Sequence, residues 1–227
     1  MPHKYRKYRL FRPGVSSESD GREDILGPMS GTVTHVSTAR RLNYTYEDYL
    51  RALEDSRIKL EYCDGQIYAM AGGTPAHAEL AMRAGHLLMQ SLQASCRVYS
   101  SDLRVRIDAT DLSTFPDVAV VCGPREMSAV DPQAVTNPTI LVEVTSPSTE
   151  TYDRGEKLRH YQTLPSLRLV LFVSHDSKRV TAVRRPVHSS DEWDKRDFGP
   201  GQHVEASQPQ FRLSIDSLYD GVEFEVS

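Results

Sequence analysis

Residues 116–121 read PDVAVV, and residues 139–145 read TILVEVT. Both segments are short, apolar and rich in β-branched side chains, which is typical of buried strands. Each contains one acid: Asp117 precedes its apolar run, and Glu143 lies near the end of the other. A carboxylate in or beside a buried strand is costly unless a positive group meets it. If the two strands are neighbours, about 4.8 Å apart, their acids predict a divalent cation held by oxygen ligands.

A third acid and a lysine extend this hypothesis. Glu61 lies between Leu60 and Tyr62 in the first strand of a predicted hairpin, and its carboxylate could face the same cleft. Lys157 lies on the helix predicted after Glu143 and is the candidate for orienting water or stabilising charge. A metal site of this kind would suit phosphodiester hydrolysis, because the cation neutralises phosphoryl charge and lowers the pKa of bound water.

Structural ion pairs are the alternative explanation of the same acids. Glu143 could pair with Arg104 or Arg106, and Glu61 could pair with Lys59. On spacing alone the ion pairs are the more common arrangement.

Three further side chains have an ordinary explanation beside a functional one. Asp117 could cap a strand or accept a hydrogen bond from a loop amide. His77 begins a predicted helix, where a lone histidine is more often a surface or capping residue than a ligand. Asp102 follows two serines and is typical of a turn.

The surrounding sequence predicts an α/β fold. Thr45 is a plausible helix N-cap with Asp48 three residues later, and Asp64-Gly65 between alternating segments predicts a β-hairpin. Pro75 can begin a long helix that runs to about residue 95. Residues 187–209 are polar and are expected to be irregular. The order of helices and strands favours a mixed sheet.

Composition limits the class of protein. The chain has 227 residues, enough for one domain with a sizeable core, and 39% hydrophobic and 26% charged residues are typical of a globular protein. No apolar run is long enough to cross a bilayer, and the start of the chain lacks the apolar stretch of a signal peptide. The net charge of -4 does not favour nucleic-acid binding, although a local basic cleft or bound cations would permit it.

The cysteines and the N-terminal segment complete the expectations. Cys63, Cys96 and Cys122 are widely spaced and odd in number, so we expect neither a zinc pattern nor a disulfide framework and assign a reducing cytoplasm.

Residues 1–42 combine a basic, aromatic opening with a polar, breaker-rich stretch, which predicts a mobile arm before a domain at 43–227.

The ordered series of motifs resembles the Uma-type restriction endonuclease family, within the PD-(D/E)XK nuclease superfamily. The resemblance spans about residues 44–183 and depends on Leu60-Glu61-Tyr62-Cys63-Asp64-Gly65, His77, Ser101-Asp102-Leu103-Arg104-Val105, Pro116-Asp117-Val118, Val142-Glu143-Val144-Thr145-Ser146-Pro147-Ser148-Thr149, Asp153, Lys157 and Tyr161. It implies a restriction-endonuclease-like core, in which a central mixed β-sheet is flanked by helices.

The same resemblance implies a function and its residues. Glu61, Asp117 and Glu143 would bind Mg²⁺ or Mn²⁺ and act with Lys157 in cleaving DNA, and a homodimer is expected. His77 and Asp102 are possible additional site residues.

One position departs from the superfamily pattern, which has a lysine two residues after the second acid. Thr145 stands there and cannot supply a fixed positive charge. Lys157 looks like the migrated replacement; otherwise the chain would be a catalytically inactive nuclease-fold module that binds nucleic acid or a protein partner.

Overall fold

The computed structural model describes residues 5–7, 43–70, 72–146, 149–186 and 192–224. The helices in these ranges are α1 (Tyr46–Asp55), α2 (Pro75–Ser91), α3 (Glu150–Tyr152), α4 (Leu158–Gln162) and α5 (Ile215–Leu218). The strands are β1 (Tyr5–Lys7), β2 (Leu60–Cys63), β3 (Gln66–Met70), β4 (Cys96–Ser100), β5 (Arg104–Ile107), β6 (Leu112–Thr114), β7 (Val118–Cys122), β8 (Ala134–Val135), β9 (Ile140–Thr145), β10 (Leu169–Ser174), β11 (Val180–Arg184), β12 (Asp194–Phe198), β13 (His203–Ser207) and β14 (Gln210–Ser214). A π-helical turn, Asp153–Lys157, joins α3 to α4.

In the described ranges the strands form two six-stranded sheets and a two-stranded ribbon. The first sheet has the order β1-β3-β2-β6-β5-β8, and the second has the order β12-β11-β10-β9-β7-β4. Both are mixed, because β5 runs parallel to β8 and β9 runs parallel to β10 while their other neighbours are antiparallel. The α/β prediction with a mixed sheet flanked by helices is confirmed, although the strands divide between two large sheets.

Alternation along β9 decides which layer each of its side chains faces. Val142 and Val144 pack with Leu80 of α2 in one core cluster. Leu141 packs on the opposite face, in a cluster that contains residues of both large sheets and of α4. Glu143 lies two residues after Leu141 and therefore shares that second face, between the sheets.

The local signals at the start of the domain are confirmed. Thr45 caps α1 and forms a reciprocal capping box with Asp48. Asp64 and Gly65 connect β2 to β3 with φ values of 43° and 74°, as a tight hairpin turn requires. The long helix begins at Pro75 as predicted and ends at Ser91, slightly earlier than expected.

The prediction that the cysteines form no disulfide is wrong. Cys96 and Cys122 are bonded to each other, and Cys63 is a free thiol. The physical reason is register: β4 and β7 pair antiparallel with Cys96 directly opposite Cys122, a long-range pairing that cysteine spacing does not reveal. The cysteine argument for a reducing compartment therefore no longer applies.

The region expected to be irregular also differs from its prediction, because it contains β12 and β13. β12 pairs with β11 at the edge of the second sheet, and four of its five side chains are exposed. Polar and charged side chains are compatible with such an edge position, so the absence of an apolar pattern did not exclude a strand.

The predicted mobile arm, residues 1–42, lies outside the described residues except for Tyr5–Lys7. Those three residues pair antiparallel with β3. In the part of the chain that the structure describes, no helix has the length and apolar character needed to span a membrane.

Two glycine substitutions test the hairpin turn. Gly65→Ala should lower the free energy of unfolding by about 1–2 kcal/mol, because φ is positive there and a Cβ would lie 3.2 Å from the Asn43 Cβ. Gly85→Ala in α2 is the matched control and should stabilise by about 0.5–1 kcal/mol, since the nearest atom lies 3.7 Å away. Chemical denaturation followed by circular dichroism measures both. Equal stability of Gly65→Ala and the wild type would contradict the turn.

Candidate active site

Asp117 and Glu143 meet because their strands pair. β7 and β9 run antiparallel with Val118 opposite Val142, and the next position along this register places Asp117 opposite Glu143. The backbone N–H of Val144 donates to Asp117 Oδ2 at 2.7 Å. Both carboxylates are buried, at 9% and 4% exposure. The prediction that Asp117 and Glu143 lie together required their strands to be neighbours, and β7 and β9 are neighbours.

Lys157 connects these acids to the first sheet. Its Nζ lies 2.8 Å from Glu143 Oε1 and 3.9 Å from Glu61 Oε1, and the lysine is only 2% exposed. Asp153 Oδ1 lies 4.0 Å from the same ammonium. The Lys157 ammonium, at the end of the π-helical turn, therefore lies near one acid from each large sheet: Glu61 of β2 and Glu143 of β9.

Glu61 is held in place by the strand and loop beside it. Its Oε1 accepts hydrogen bonds from the Thr114 hydroxyl and, at 3.2 Å, from the Phe115 backbone N–H. Glu61 is 2% exposed. Strand β2 thus presents a third buried carboxylate to the cluster.

Tyr161 also contacts the cluster, and its hydroxyl donates to Glu143 Oε1 at 2.5 Å. In the sequence, the chemistry of Tyr161 and Asp153 alone does not mark them as site residues. Their spacing was a usable signal, because Asp153, Lys157 and Tyr161 follow at intervals of four along one helical segment.

His77 lies beside Asp117 at the start of α2. Its Nε2 is 3.2 Å from Asp117 Oδ2, and its backbone N–H donates to the Thr74 N-cap hydroxyl at 3.3 Å. A cavity of about 520 Å³ opens next to this pair. Its lining also includes Lys59, Met82, Met89 and Tyr99. The cavity gives a polymer or small ligand an approach to the Asp117 carboxylate.

Asp102 is placed apart from the buried acids. Its side chain is 83% exposed and pairs with Lys59 Nζ at 2.8 Å. The Asp102 backbone N–H donates to Ser100 Oγ at 3.3 Å, as in a turn. The geometry matches the turn interpretation of Asp102.

The alternative ion pairs form elsewhere. Arg104 Nε lies 2.6 Å from Asp131 Oδ2. Arg106 contacts Asp108 at 3.1 Å and Asp111 at 2.5 Å. Lys59 pairs with Asp102. Within the described ranges, therefore, none of these three cations pairs with Glu61 or Glu143.

The cluster contains more acidic than basic side chains. Glu61, Asp117, Glu143 and Asp153 are all buried, and Lys157 is the buried ammonium among them. Burial raises the pKa of Glu143 to about 8; Lys157 opposes this shift, whereas Asp117 and Asp153 add to it. Burial, followed by the charge of Glu143, also raises the pKa of the Tyr161 hydroxyl, which keeps it a hydrogen-bond donor.

The side chains of this cluster are of the type that binds a hard divalent cation. Oε1 of Glu61 and Oε1 of Glu143 accept hydrogen bonds and both face the Lys157 ammonium. Carboxylate oxygens are the ligands that Mg²⁺ and Mn²⁺ prefer. A cation among these acids would offset their mutual repulsion.

Known proteins are similar to this chain in sequence. Residues 46–216 match the family model Uma2, described as "Putative restriction endonuclease". The chain is 35% identical over 193 residues to uncharacterized protein slr1290 of Synechocystis sp. (strain ATCC 27184 / PCC 6803 / Kazusa). This alignment covers 85% of the chain and 100% of slr1290. Uncharacterized protein sll1609 of the same organism is 30% identical over 146 residues, covering 64% of this chain and 81% of its own.

A solved structure supports the same fold. It is described as a putative nuclease belonging to DUF820 from Anabaena variabilis ATCC 29413, and it superposes with a TM-score of 0.64. The match covers 79% of this chain and 99% of that chain at 18% identity, a level at which the likeness concerns the fold alone.

The raised pKa of Glu143 predicts a pH dependence of stability. Well below pH 4.5, the ordinary pKa of a glutamate, the carboxyl is protonated in both the folded and the unfolded chain. As the pH rises towards about 8, the unfolded chain loses this proton first, so the free energy of unfolding should fall, by at most about 1.4 kcal/mol per pH unit. Denaturant unfolding in chelator-containing buffer at a series of pH values measures this slope.

Glu143→Gln should remove this component of the slope, because glutamine does not titrate. Asp48→Asn is the control: contacts with Thr45 lower the Asp48 pKa to about 2, so it titrates below this range and the variant should keep the wild-type slope. A Glu143→Gln profile parallel to that of the wild type would contradict the assignment.

Proposed function

The chain belongs to the Uma2 family, and from that membership we propose that it is a divalent-cation-dependent endonuclease that hydrolyses phosphodiester bonds of DNA. The observation that carries the proposal is the meeting of Glu61, Asp117, Glu143 and Lys157 in one buried cluster. We propose Mg²⁺ as the cation, with Mn²⁺ as a substitute. The expectations of a cytoplasmic location and a homodimer belong to the same proposal.

The roles of the residues follow from their chemistry. Glu61, Asp117 and Glu143 would hold the cation, which when bound supplies charge neutralisation at the phosphate and a more acidic water. Lys157 would donate a hydrogen bond to a phosphoryl oxygen or to the attacking water, and its burial makes this charge more effective than it would be in bulk water. His77, 3.2 Å from Asp117, would orient that carboxylate.

Lys157 also accounts for the departure at Thr145. Thr145 is buried at the end of β9, two residues after Glu143, and has no charge to contribute. We propose that Lys157 supplies the missing positive charge from the helical segment instead. The 2.8 Å contact between Lys157 Nζ and Glu143 Oε1 supports this role, because it places the ammonium beside the second acid although the lysine comes from a different position in the sequence.

A cleavage assay tests the proposal. Supercoiled plasmid incubated with the protein and Mg²⁺ or Mn²⁺ should be nicked or linearised. Asp117→Asn, Glu143→Gln and Lys157→Ala should each lower the rate at least about 100-fold, since each removes a ligand or a charge that acts on the reacting phosphate. Lys178→Ala, at an exposed lysine, is the matched control and should retain the wild-type rate.

Cleavage that is unchanged in Asp117→Asn would contradict the assignment of the site. Absence of cleavage by the wild type, with DNA binding retained in Ca²⁺, would favour the non-catalytic module, for which Thr145 is the motivating residue. Sedimentation analysis of the same preparations tests the homodimer.

A further inference from the structure

A second group of metal-ligating side chains lies next to the carboxylate cluster. Cys63, Glu156 and His160 each offer one ligand atom, and these three atoms lie within 4.8 Å of one another. Cys63 Sγ is 3.9 Å from His160 Nε2. Glu156 and His160 are four residues apart where the π-helical turn meets α4, so one helical segment presents both towards the end of β2.

The chemistry of this group differs from that of the buried acids. A thiol, an imidazole and one carboxylate form a ligand set that suits Zn²⁺, whereas Mg²⁺ selects oxygen ligands. Three protein ligands would leave a fourth position for water, as in open zinc sites.

The distances are close to those that one ion requires. With a Zn–S distance of about 2.3 Å and a Zn–N distance of about 2.05 Å, tetrahedral geometry places sulfur and nitrogen about 3.6 Å apart. The observed 3.9 Å corresponds to an angle of about 127° at the ion, so a shift of about 0.3 Å gives the tetrahedral value. Glu156 is exposed, and a change of its rotamer can bring its carboxylate to the same ion.

We propose that Cys63, Glu156 and His160 form a Zn²⁺ site separate from the carboxylate site. Cys63 lies two residues after Glu61 on β2, and Glu156 directly precedes Lys157. A bound ion would therefore link the strand that carries Glu61 to the helical segment that carries Lys157.

Cobalt substitution tests this site without any measurement of activity. Metal-free protein titrated with Co²⁺ should develop a near-ultraviolet thiolate-to-cobalt charge-transfer band that saturates at one equivalent. Zn²⁺ should remove the band, because it binds such ligand sets more tightly than Co²⁺, and excess Mg²⁺ should leave it in place. Cys63→Ser should abolish the band, and His160→Ala and Glu156→Gln should each weaken Co²⁺ binding at least tenfold.

Two control variants separate this site from its neighbours. His86→Ala, at an exposed histidine of α2, and Asp117→Asn, in the carboxylate cluster, should keep the band and its affinity. Absence of the band in the wild type would overturn the proposal. Persistence of the band in Cys63→Ser would also overturn it, because Cys63 would then not be the thiolate ligand. Loss of the band in Asp117→Asn would overturn it as well, because the ion would then belong to the buried acids.

Discussion

Burial of several carboxylates between two sheets is the constraint on which the structure depends. Transfer of one ionised group out of water costs several kcal/mol even after relaxation, and an apolar core of the same volume is often at least as stable. Here the cost is offset in part by the Lys157 ammonium, by the Val144 N–H on Asp117 and by the Tyr161 hydroxyl on Glu143. Acids kept in this position at the expense of stability are typical of functional sites.

The scaffold around these acids has two independent supports. Apolar side chains of β7, β9 and β10 pack against α2 on one face, which fixes the paired strands that carry Asp117 and Glu143. The other face packs against strands of the first sheet and α4. Glu61 and Lys157 reach the cluster from this second side, so the site exists only where the two sheets come together.

Local features could be predicted from the sequence because their causes are local. The Asp64-Gly65 turn follows from the need for positive φ, and the Thr45 cap follows from the unpaired N–H groups at a helix start. Asp117 and Glu143 stood out because an acid interrupts a β-branched run. Their proximity required only that two strands be neighbours.

Features that depend on long-range register could not be predicted in the same way. The Cys96–Cys122 bond depends on how β4 aligns with β7, and a slip of one residue would turn each side chain to the other face. The exposed strand β12 has no apolar alternation to reveal it. Asp102 has a carboxylate that could bind a metal, but it lies on an exposed turn. Its position in the sequence alone does not tell whether the side chain faces solvent or a cleft.

The π-helical turn makes chain length itself part of the site. A residue advances an α-helix by about 100°, and a π turn accommodates one more residue than an α turn does. Deletion of a single residue such as Gly155 would remove the extra residue, so the segment could return to α-helical winding with Lys157 and Tyr161 close to their present orientation relative to Asp153. In a helix without a π turn the same deletion would rotate every later residue by about 100°. Among homologues, a chain that is one residue shorter within Asp153–Lys157 is therefore compatible with an unchanged position of the lysine.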